Sequence, residues 1–186
     1  MRHLQLKPGE LLEYQEQCEK VLVRYIKRLQ WLLSGSRRLF GTIVHDKSVI
    51  LIDTSGSMND YMPEVKKELA ALVWEQLFKF RSSFNFIRFS DRCEKWRDQV
   101  QEPTEENCHK AIAWLTSLTA HGNTCTLDAL REAFSDQAVN AIYLITDGKP
   151  DNSTTLVLDE VRKMNYIRHL SINTISFNCD EKYYFF

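Results

Sequence analysis

The chain has 186 residues, of which 44% are hydrophobic, with 24 Lys and Arg against 25 Asp and Glu. This length fits one domain with a helical appendage, and the hydrophobic share excludes a disordered or collagen-like chain. There is no apolar run of 18 residues, which excludes a transmembrane helix. A net charge of −1 gives no general reason to expect binding to nucleic acid or to an anionic membrane.

The charge is nevertheless uneven along the chain. Residues 1–40 contain eight basic and four acidic side chains, a balance of +4, so the remainder carries −5. A solvated helix face is the simpler interpretation of this split. A docking surface for an acidic partner is the alternative.

A single helix is predicted near the N-terminus, from Pro8 to about Ser34, within a helical segment that spans residues 1–36. Apolar side chains recur there every seven residues, and a second series fills the offset positions. Pro8 suits a first helical turn, and Gly35 lies in a stop signal. We expect the stripe to pack against the domain or a neighbouring segment. Its members are Leu11, Cys18, Leu22, Tyr25, Leu29 and Leu32.

After Gly35 the pattern changes to alternating strands and helices, and we assign residues 37–186 to one domain. A hairpin is predicted from Leu39–Val44 to Ser48–Ile52, and an amphipathic helix from Pro63 to Phe80. The residues of this helix that we expect to face inward are Val65, Leu69, Leu72, Val73, Leu77 and Phe80. The alternation predicts an α/β fold with a mostly parallel sheet and right-handed crossovers. Further strands are predicted at 84–89, 93–96, 138–145 and 172–177, and further helices at 105–118, 127–134 and 154–166.

Three loops next to predicted strands or helices carry polar side chains. The first, Asp53-Thr-Ser-Gly-Ser-Met58, follows a buried strand, Gly122-Asn-Thr124 opens a helix, and Thr146-Asp-Gly148 follows another strand. Ligands bind beyond the carboxyl ends of strands in open α/β sheets, so the loops can converge there if the strands are neighbours. The candidate metal ligands are Asp53, Ser55, Ser57, Thr124 and Asp147.

Two carboxylates and three hydroxyls suit a small cation with octahedral oxygen ligands, Mg²⁺ or Mn²⁺. The alternation of residues 53, 55 and 57 allows a locally extended turn to point all three side chains one way. Such a set leaves about one coordination position for a carboxylate from outside. The competing interpretation is helix capping, by Thr124 or Thr126 for the helix at Leu127. We expect Asp151 to cap the next helix rather than to bind metal.

The residues do not favour an enzyme. The serine-rich loop lacks the Gly-x-Ser-x-Gly elbow, and the chain contains no phosphate-binding Gly-x-x-x-x-Gly-Lys-Ser/Thr motif. His121 lies near Thr124, but a loop histidine is more often exposed than catalytic. We therefore predict a non-enzymatic protein.

The five cysteines, Cys18, Cys93, Cys108, Cys125 and Cys179, are odd in number, widely spaced and without a Cys-x-x-Cys pair. This pattern is typical of neither a disulfide framework nor a zinc site. The first residues contain no apolar signal-peptide segment. Together these features predict a reducing, cytoplasmic setting.

The three loops together resemble the metal-ion-dependent adhesion site (MIDAS) of von Willebrand factor A domains. The match consists of Asp53-x-Ser55-x-Ser57, Thr124 and Asp147, within a resemblance that covers about residues 38–180. The run from Phe40-Gly-Thr42 into Val49–Met58 further resembles the intracellular von Willebrand factor A domain-containing protein 3 group. The resemblance implies a doubly wound, Rossmann-like sheet, Mg²⁺ or Mn²⁺ at the strand tips, and binding of a protein partner through its Asp or Glu carboxylate.

One departure from that family concerns the end of the chain. Family members usually continue beyond the strand matching 172–177 with a further helix and an edge strand, whereas this chain ends in an aromatic tail at 180–186. We therefore expect a domain without those elements, as in a truncated or alternatively spliced product.

The sequence is compatible with two functions. The first is a metal-dependent protein-interaction module that binds a partner carboxylate. The second is a structural scaffold whose partners bind the basic N-terminal helix, with the metal only stabilising the fold.

Overall fold

The structure is a computed structural model that describes residues 8–148 and 150–177. A 3₁₀ turn, Gly56–Asp60, follows β1, and a π-helical segment, Val73–Phe78, continues α3. No helix within these residues is long and apolar enough to cross a membrane. The helices are α1 (Pro8–Leu32), α2 (Arg37–Phe40), α3 (Met62–Leu72), α4 (Glu105–Ser117), α5 (Thr126–Ser135) and α6 (Thr154–Arg168), and the strands are β1 (Lys47–Asp53), β2 (Ser83–Phe89), β3 (Cys93–Lys95), β4 (Ala141–Thr146) and β5 (Ser171–Ser176).

The five strands form one sheet in the order β3-β2-β1-β4-β5. All neighbouring pairs are parallel except β2 and β3, which are antiparallel. Each pair of parallel strands is linked through at least one helix, as such crossovers require. The predicted mostly parallel α/β sheet is confirmed, including its short edge strand.

The central strand, β1, is buried on both faces because its apolar run is continuous. Val49 and Leu51 pack on the side covered by α5 and α6. Ile50 and Ile52 pack on the opposite side, which α3, the π-helical segment and α4 cover. Each side chain so buried contributes about 1.5–3 kcal/mol, so β1 is firmly placed within the sheet.

The predicted hairpin before β1 was wrong. Residues 37–40 form the helix α2, and residues 41–45 form no strand. Both edges of β1 are occupied, by β2 and by β4, so no edge is left for a hairpin partner. In place of a partner strand, the buried side chain of Gln76 hydrogen-bonds to the backbone of this segment. It accepts from Ile43 N (2.9 Å) and donates to Gly41 O (3.1 Å).

The inward position predicted for Phe80 was also wrong, since its side chain is 47% exposed. The predicted inward residues before it, Val65 to Leu77, are buried. A π-helical turn holds one more residue than an α-helical turn, so it rotates the subsequent residues out of the α-helical phase. The segment Val73–Phe78 lies directly before Phe80 and changes its phase in this way.

Helix α1 forms as predicted, but its stripe does not pack against the domain. Leu11, Leu22, Tyr25 and Leu29 are each more than half exposed. The physical reason is that α3 to α6 already cover both faces of the central strands. The tail predicted at residues 180–186 lies outside the described residues.

The packing of Gln76 yields a stability prediction. Gln76→Leu keeps the volume but leaves the Ile43 N–H and the Gly41 carbonyl without their partner. Since each unsatisfied buried group costs about 1–3 kcal/mol, we expect a loss of about 2 kcal/mol or more in urea unfolding. The exposed Gln99→Leu serves as the control and should change stability by less than about 0.5 kcal/mol. Equal stability of the two variants would contradict this account.

Candidate metal centre

The polar loops meet at the carboxyl ends of β1 and β4, which are neighbours in the sheet. The chain order along the sheet reverses between these two strands, since β2 lies on one side of β1 and β4 on the other. Loops leaving the two strands diverge at such a reversal and open a crevice, which is the usual ligand site of this architecture. Asp53 ends β1, and Thr146 ends β4.

The first loop curls around the Asp53 carboxylate. Asp53 is fully buried, and its Oδ1 accepts a hydrogen bond from Ser55 N at 2.8 Å. The hydroxyls of Ser55 and Ser57 lie 3.1 Å apart, so both are turned towards the same point. The loop is not extended throughout as we expected, because a 3₁₀ turn begins at Gly56. The three side chains are nevertheless brought together.

Thr146 belongs to the site, although sequence reasoning gave it no role. Its hydroxyl donates to Asp53 Oδ2 at 2.7 Å and accepts from Gly148 N at 3.1 Å. It therefore fixes the second carboxylate oxygen and the loop that carries Asp147. The sequence feature that could have identified Thr146 is its position directly before Asp147 at the end of an apolar strand.

The second loop is hydrogen-bonded to the first. Gly56 N donates to Gly122 O at 3.0 Å, and His121 N donates to Thr54 O at 2.8 Å. Gly122 adopts φ +76°, and a Cβ there would lie 2.1 Å from an Asp91 carboxylate oxygen, so the position requires glycine. These contacts hold Thr124, which is almost fully buried, beside the Asp53 loop.

Asp151 has a different role from the predicted helix cap. Its Oδ2 accepts from Thr124 N at 2.9 Å, and its own N–H donates to Thr124 O at 3.2 Å. Ser153 caps α6 instead, because its hydroxyl accepts from Leu156 N. Asp151 thus fixes the backbone of Thr124, a contact between residues 27 apart that local patterns do not reveal.

The capping interpretation of the second loop is not supported. Cys125 occupies the N-cap position of α5, and no side-chain cap hydrogen bond forms there. The Thr126 hydroxyl is directed to Thr124 O at 3.5 Å rather than to a helix N–H. Neither threonine hydroxyl therefore caps α5, so no helix N–H competes with a ligand for these hydroxyls.

Two carboxylates approach each other in the crevice, and one of them is buried. Burial raises the pKa of Asp53 above its usual 3.8, hydrogen bonds from Thr146 and Ser55 oppose this, and the nearby Asp147 charge raises the pKa further. Asp147 is half-buried. None of the ion pairs within residues 8–148 and 150–177 involves Asp53. A buried carboxylate of this kind is costly, and a bound cation would stabilise it.

The donor set is built from hydroxyls as much as from carboxylates. Across the described ranges, no group of three or more His, Cys, Asp or Glu side chains could hold a metal ion. Any ion at this edge would therefore depend on Ser55, Ser57 and Thr124 as well as on the two aspartates. Hard oxygen donors of this kind fit Mg²⁺ or Mn²⁺.

The four cysteines within the described residues are free thiols. Burial raises the pKa of the Cys93 and Cys108 thiols to about 11 in both cases. These two thiols stay protonated near neutral pH, so they are poor nucleophiles and poor metal ligands.

Comparison with known sequences identifies relatives along most of the chain. The sequence pattern of the von Willebrand factor type A domain family matches residues 47–183. The human von Willebrand factor A domain-containing protein 3A is 50% identical over 182 residues, which are 98% of this chain and 15% of that protein. The human protein 3B is 37% identical over 97% of this chain and 14% of its own length. The chain thus spans about one seventh of the length of these relatives.

Solved structures agree with the fold. A von Willebrand factor type A protein from Catenulispora acidiphila superposes with a TM-score of 0.53 at 20% identity, covering 73% of this chain and 34% of that one. A conserved hypothetical protein, BatB from Bacteroides thetaiotaomicron, superposes with a TM-score of 0.55 at 16% identity, covering 74% of each chain. Identities this low support the α/β architecture alone.

The raised pKa of Asp53 predicts a pH dependence in the presence of a chelator. Because the folded state binds this proton more tightly than the unfolded state, the carboxyl lowers stability as pH rises above about 4. Asp53→Asn does not titrate, so its stability relative to wild type should increase from about pH 3 to about pH 7, by about 1.4 kcal/mol for each unit by which folding raises the pKa of Asp53. Urea unfolding at both pH values in EDTA measures this.

The exposed Gln99→Leu removes no titrating group and is the control for this pH series, so its difference from wild type should stay constant. A constant difference for Asp53→Asn as well would contradict the account of the buried carboxylate.

Proposed function

The chain belongs to the von Willebrand factor type A domain family, and we propose that it is a metal-dependent protein-interaction module. In this proposal a divalent cation lies between the three loops and binds an Asp or Glu carboxylate of a protein partner. The family is one of protein-interaction modules, which supports the general class. The metal dependence rests on the residues of this chain.

The observation that carries the proposal is the Asp53 carboxylate. It is fully buried, its pKa is raised by burial and by Asp147, and no Lys, Arg or His within the described ranges forms an ion pair with it. Hydrogen bonds from Ser55 N and the Thr146 hydroxyl orient both of its oxygens. A small hard cation stabilises a carboxylate that is held in a fixed orientation, forms no ion pair and lies next to hydroxyl oxygens.

The proposed ligands are Asp53, Ser55, Ser57, Thr124 and Asp147. Two carboxylates neutralise a divalent ion formally, and the hydroxyls add no charge. When bound, Mg²⁺ or Mn²⁺ would supply a Lewis-acidic position that accepts one further oxygen ligand. The protein's own task is to hold the donors in place. Thr146 and Asp151 do this as positioning residues, through Asp53 and through the backbone of Thr124.

The charge around the site supports a strict requirement for the cation. The carboxylates of Asp91 and Asp151 accept from Asn123 N and Thr124 N, so both lie beside the Thr124 loop. Neither takes part in the ion pairs of the described residues. An acidic partner group would be repelled by this rim in the absence of metal. Removal of the metal by a chelator should therefore abolish partner binding rather than weaken it.

We also propose a non-enzymatic role in a reducing, intracellular setting. The His121 side chain is exposed, and its backbone N–H is used to hold the Thr54 carbonyl. The free thiols of the described cysteines support the reducing setting. The second candidate, a scaffold that recruits partners through the N-terminal helix, is favoured by the exposed stripe of α1.

The first prediction of this proposal concerns stability. Because a ligand that binds only the folded state stabilises it by RT ln(1 + [L]/Kd), Mg²⁺ should raise the melting temperature. At a concentration 100 times Kd the gain is about 2.7 kcal/mol. Asp53→Ala should abolish the shift, whereas Asp98→Ala should keep it. Differential scanning calorimetry in Mg²⁺ and in EDTA measures both, and a wild-type chain without a shift would contradict the proposal.

The second prediction concerns partner binding. Proteins captured by the immobilised chain in Mg²⁺ should be released by EDTA and should not bind Asp53→Ala. Neutralising the carboxylates of a captured partner with carbodiimide and methylamine should prevent it from rebinding. A chain without residues 1–36 should still bind. Loss of binding upon this deletion, with retention by Asp53→Ala, would favour the scaffold instead.

A further inference from the structure

Helix α1 carries apolar side chains that nothing in the described structure covers. Leu11, Leu22, Tyr25 and Leu29 are 56, 59, 65 and 56% exposed, and Cys18 on the same stripe is exposed too. With 25 residues the helix is about 37 Å long. An apolar stripe of this length on a charged helix is typical of a surface that pairs with another helix.

The charges of α1 are separated along its length. Its first half carries only acidic side chains and its second half only basic ones, with the change between Glu19 and Lys20. The four acidic residues are Glu10, Glu13, Glu16 and Glu19, and the four basic ones are Lys20, Arg24, Lys27 and Arg28. One ion pair, Glu16 to Lys20, bridges the boundary within the helix.

We propose that α1 pairs in an antiparallel manner with α1 of a second copy of this chain. A parallel pair in register would place acidic half on acidic half and basic half on basic half. Reversal of one helix places each acidic half beside a basic half, which is favourable. The opposed helix dipoles add to this preference.

The apolar stripe is compatible with the same arrangement. It consists of one series at Leu11, Cys18 and Tyr25 and a second, offset series at Leu22 and Leu29. A two-fold axis at residue 20 brings position n of one copy level with position 40 − n of the other. Leu22 then lies level with Cys18 of the second copy, and Leu29 level with Leu11.

The charged residues beside the stripe agree with an antiparallel pair. At about 100° per residue, Glu10 and Arg28 lie on the same flank of the stripe, and an axis at residue 20 brings them within two residues of each other across the pair. The other charged side chains, such as Glu13 and Lys27, lie on the side of α1 that faces away from the stripe.

An isolated helix would gain from acidic residues at its start and basic residues at its end, but would gain nothing from the exposed stripe. The stripe does not pack on the central strands of the same chain, because α3 to α6 cover both faces of these strands. A second copy satisfies both features. It would also place two candidate metal centres on one particle, which raises avidity for a partner with repeated sites.

The first test is the mass of the 186-residue chain by light scattering during size-exclusion chromatography. We expect a dimer at about 50 µM and a monomer for Leu22→Glu, which introduces a charge into the centre of the pair. Val23→Glu is the matched control, because Val23 is an adjacent, 50% exposed residue outside the stripe. It should remain dimeric, and circular dichroism should show equal helix content. A monomeric wild-type chain, or a dimer that Leu22→Glu leaves intact, would overturn the proposal.

The second test is the orientation of the pair. Under mild oxidation Leu22→Cys should give a covalent dimer in which the introduced thiol is linked to the native Cys18 of the second copy, identified by peptide mapping. Two Cys18 residues are offset by about 6 Å along the axis, beyond the reach of a disulfide across the pair. Wild type should therefore form no such link. A Cys18 to Cys18 link in the wild-type chain would indicate a parallel pair or another register, and would overturn the assignment.

Discussion

The structure places a carboxylate, Asp53, where water cannot reach it, at the end of the buried central strand β1. A charge in this position has to be compensated, and the described residues supply hydrogen bonds but no cation. Its neighbours are arranged accordingly: Thr146 holds one oxygen, Ser55 N holds the other, and Asp147 adds a second negative charge. The proposed metal dependence results from this single constraint.

The constraint originates in the order of the strands. Because β1 lies between β2 and β4, its carboxyl end opens at the reversal point of the sheet, and loops from distant parts of the chain meet there. Backbone hydrogen bonds then fix the loops to each other, from Gly56 to Gly122 and from Asp151 to Thr124. These hydrogen bonds hold the three loops together without an ion, which limits the entropy cost of ion binding.

Much of the fold could be predicted from local patterns, because apolar periodicity determines where β1 and helices such as α4 form. Two of the errors concern longer-range choices. The prediction of a hairpin before β1 failed because both edges of that strand are occupied, and the predicted packing of α1 failed because the faces of the central strands are already covered. The error at Phe80 is local and results from the π-helical segment before it. At the site, the motif residues were predictable, whereas Asp151 depends on a tertiary contact with Thr124 that spacing alone does not encode.

The most direct measurement of the central claim is anomalous diffraction from crystals of the chain grown with Mn²⁺. The account predicts one strong anomalous peak between the carboxylate of Asp53 and the hydroxyls of Ser55, Ser57 and Thr124, with metal–oxygen distances of about 2.0–2.3 Å. It also predicts that the peak disappears in crystals of Asp53→Ala. Crystals that hold Mn²⁺ elsewhere on the molecule, with no density between the three loops, would contradict the account.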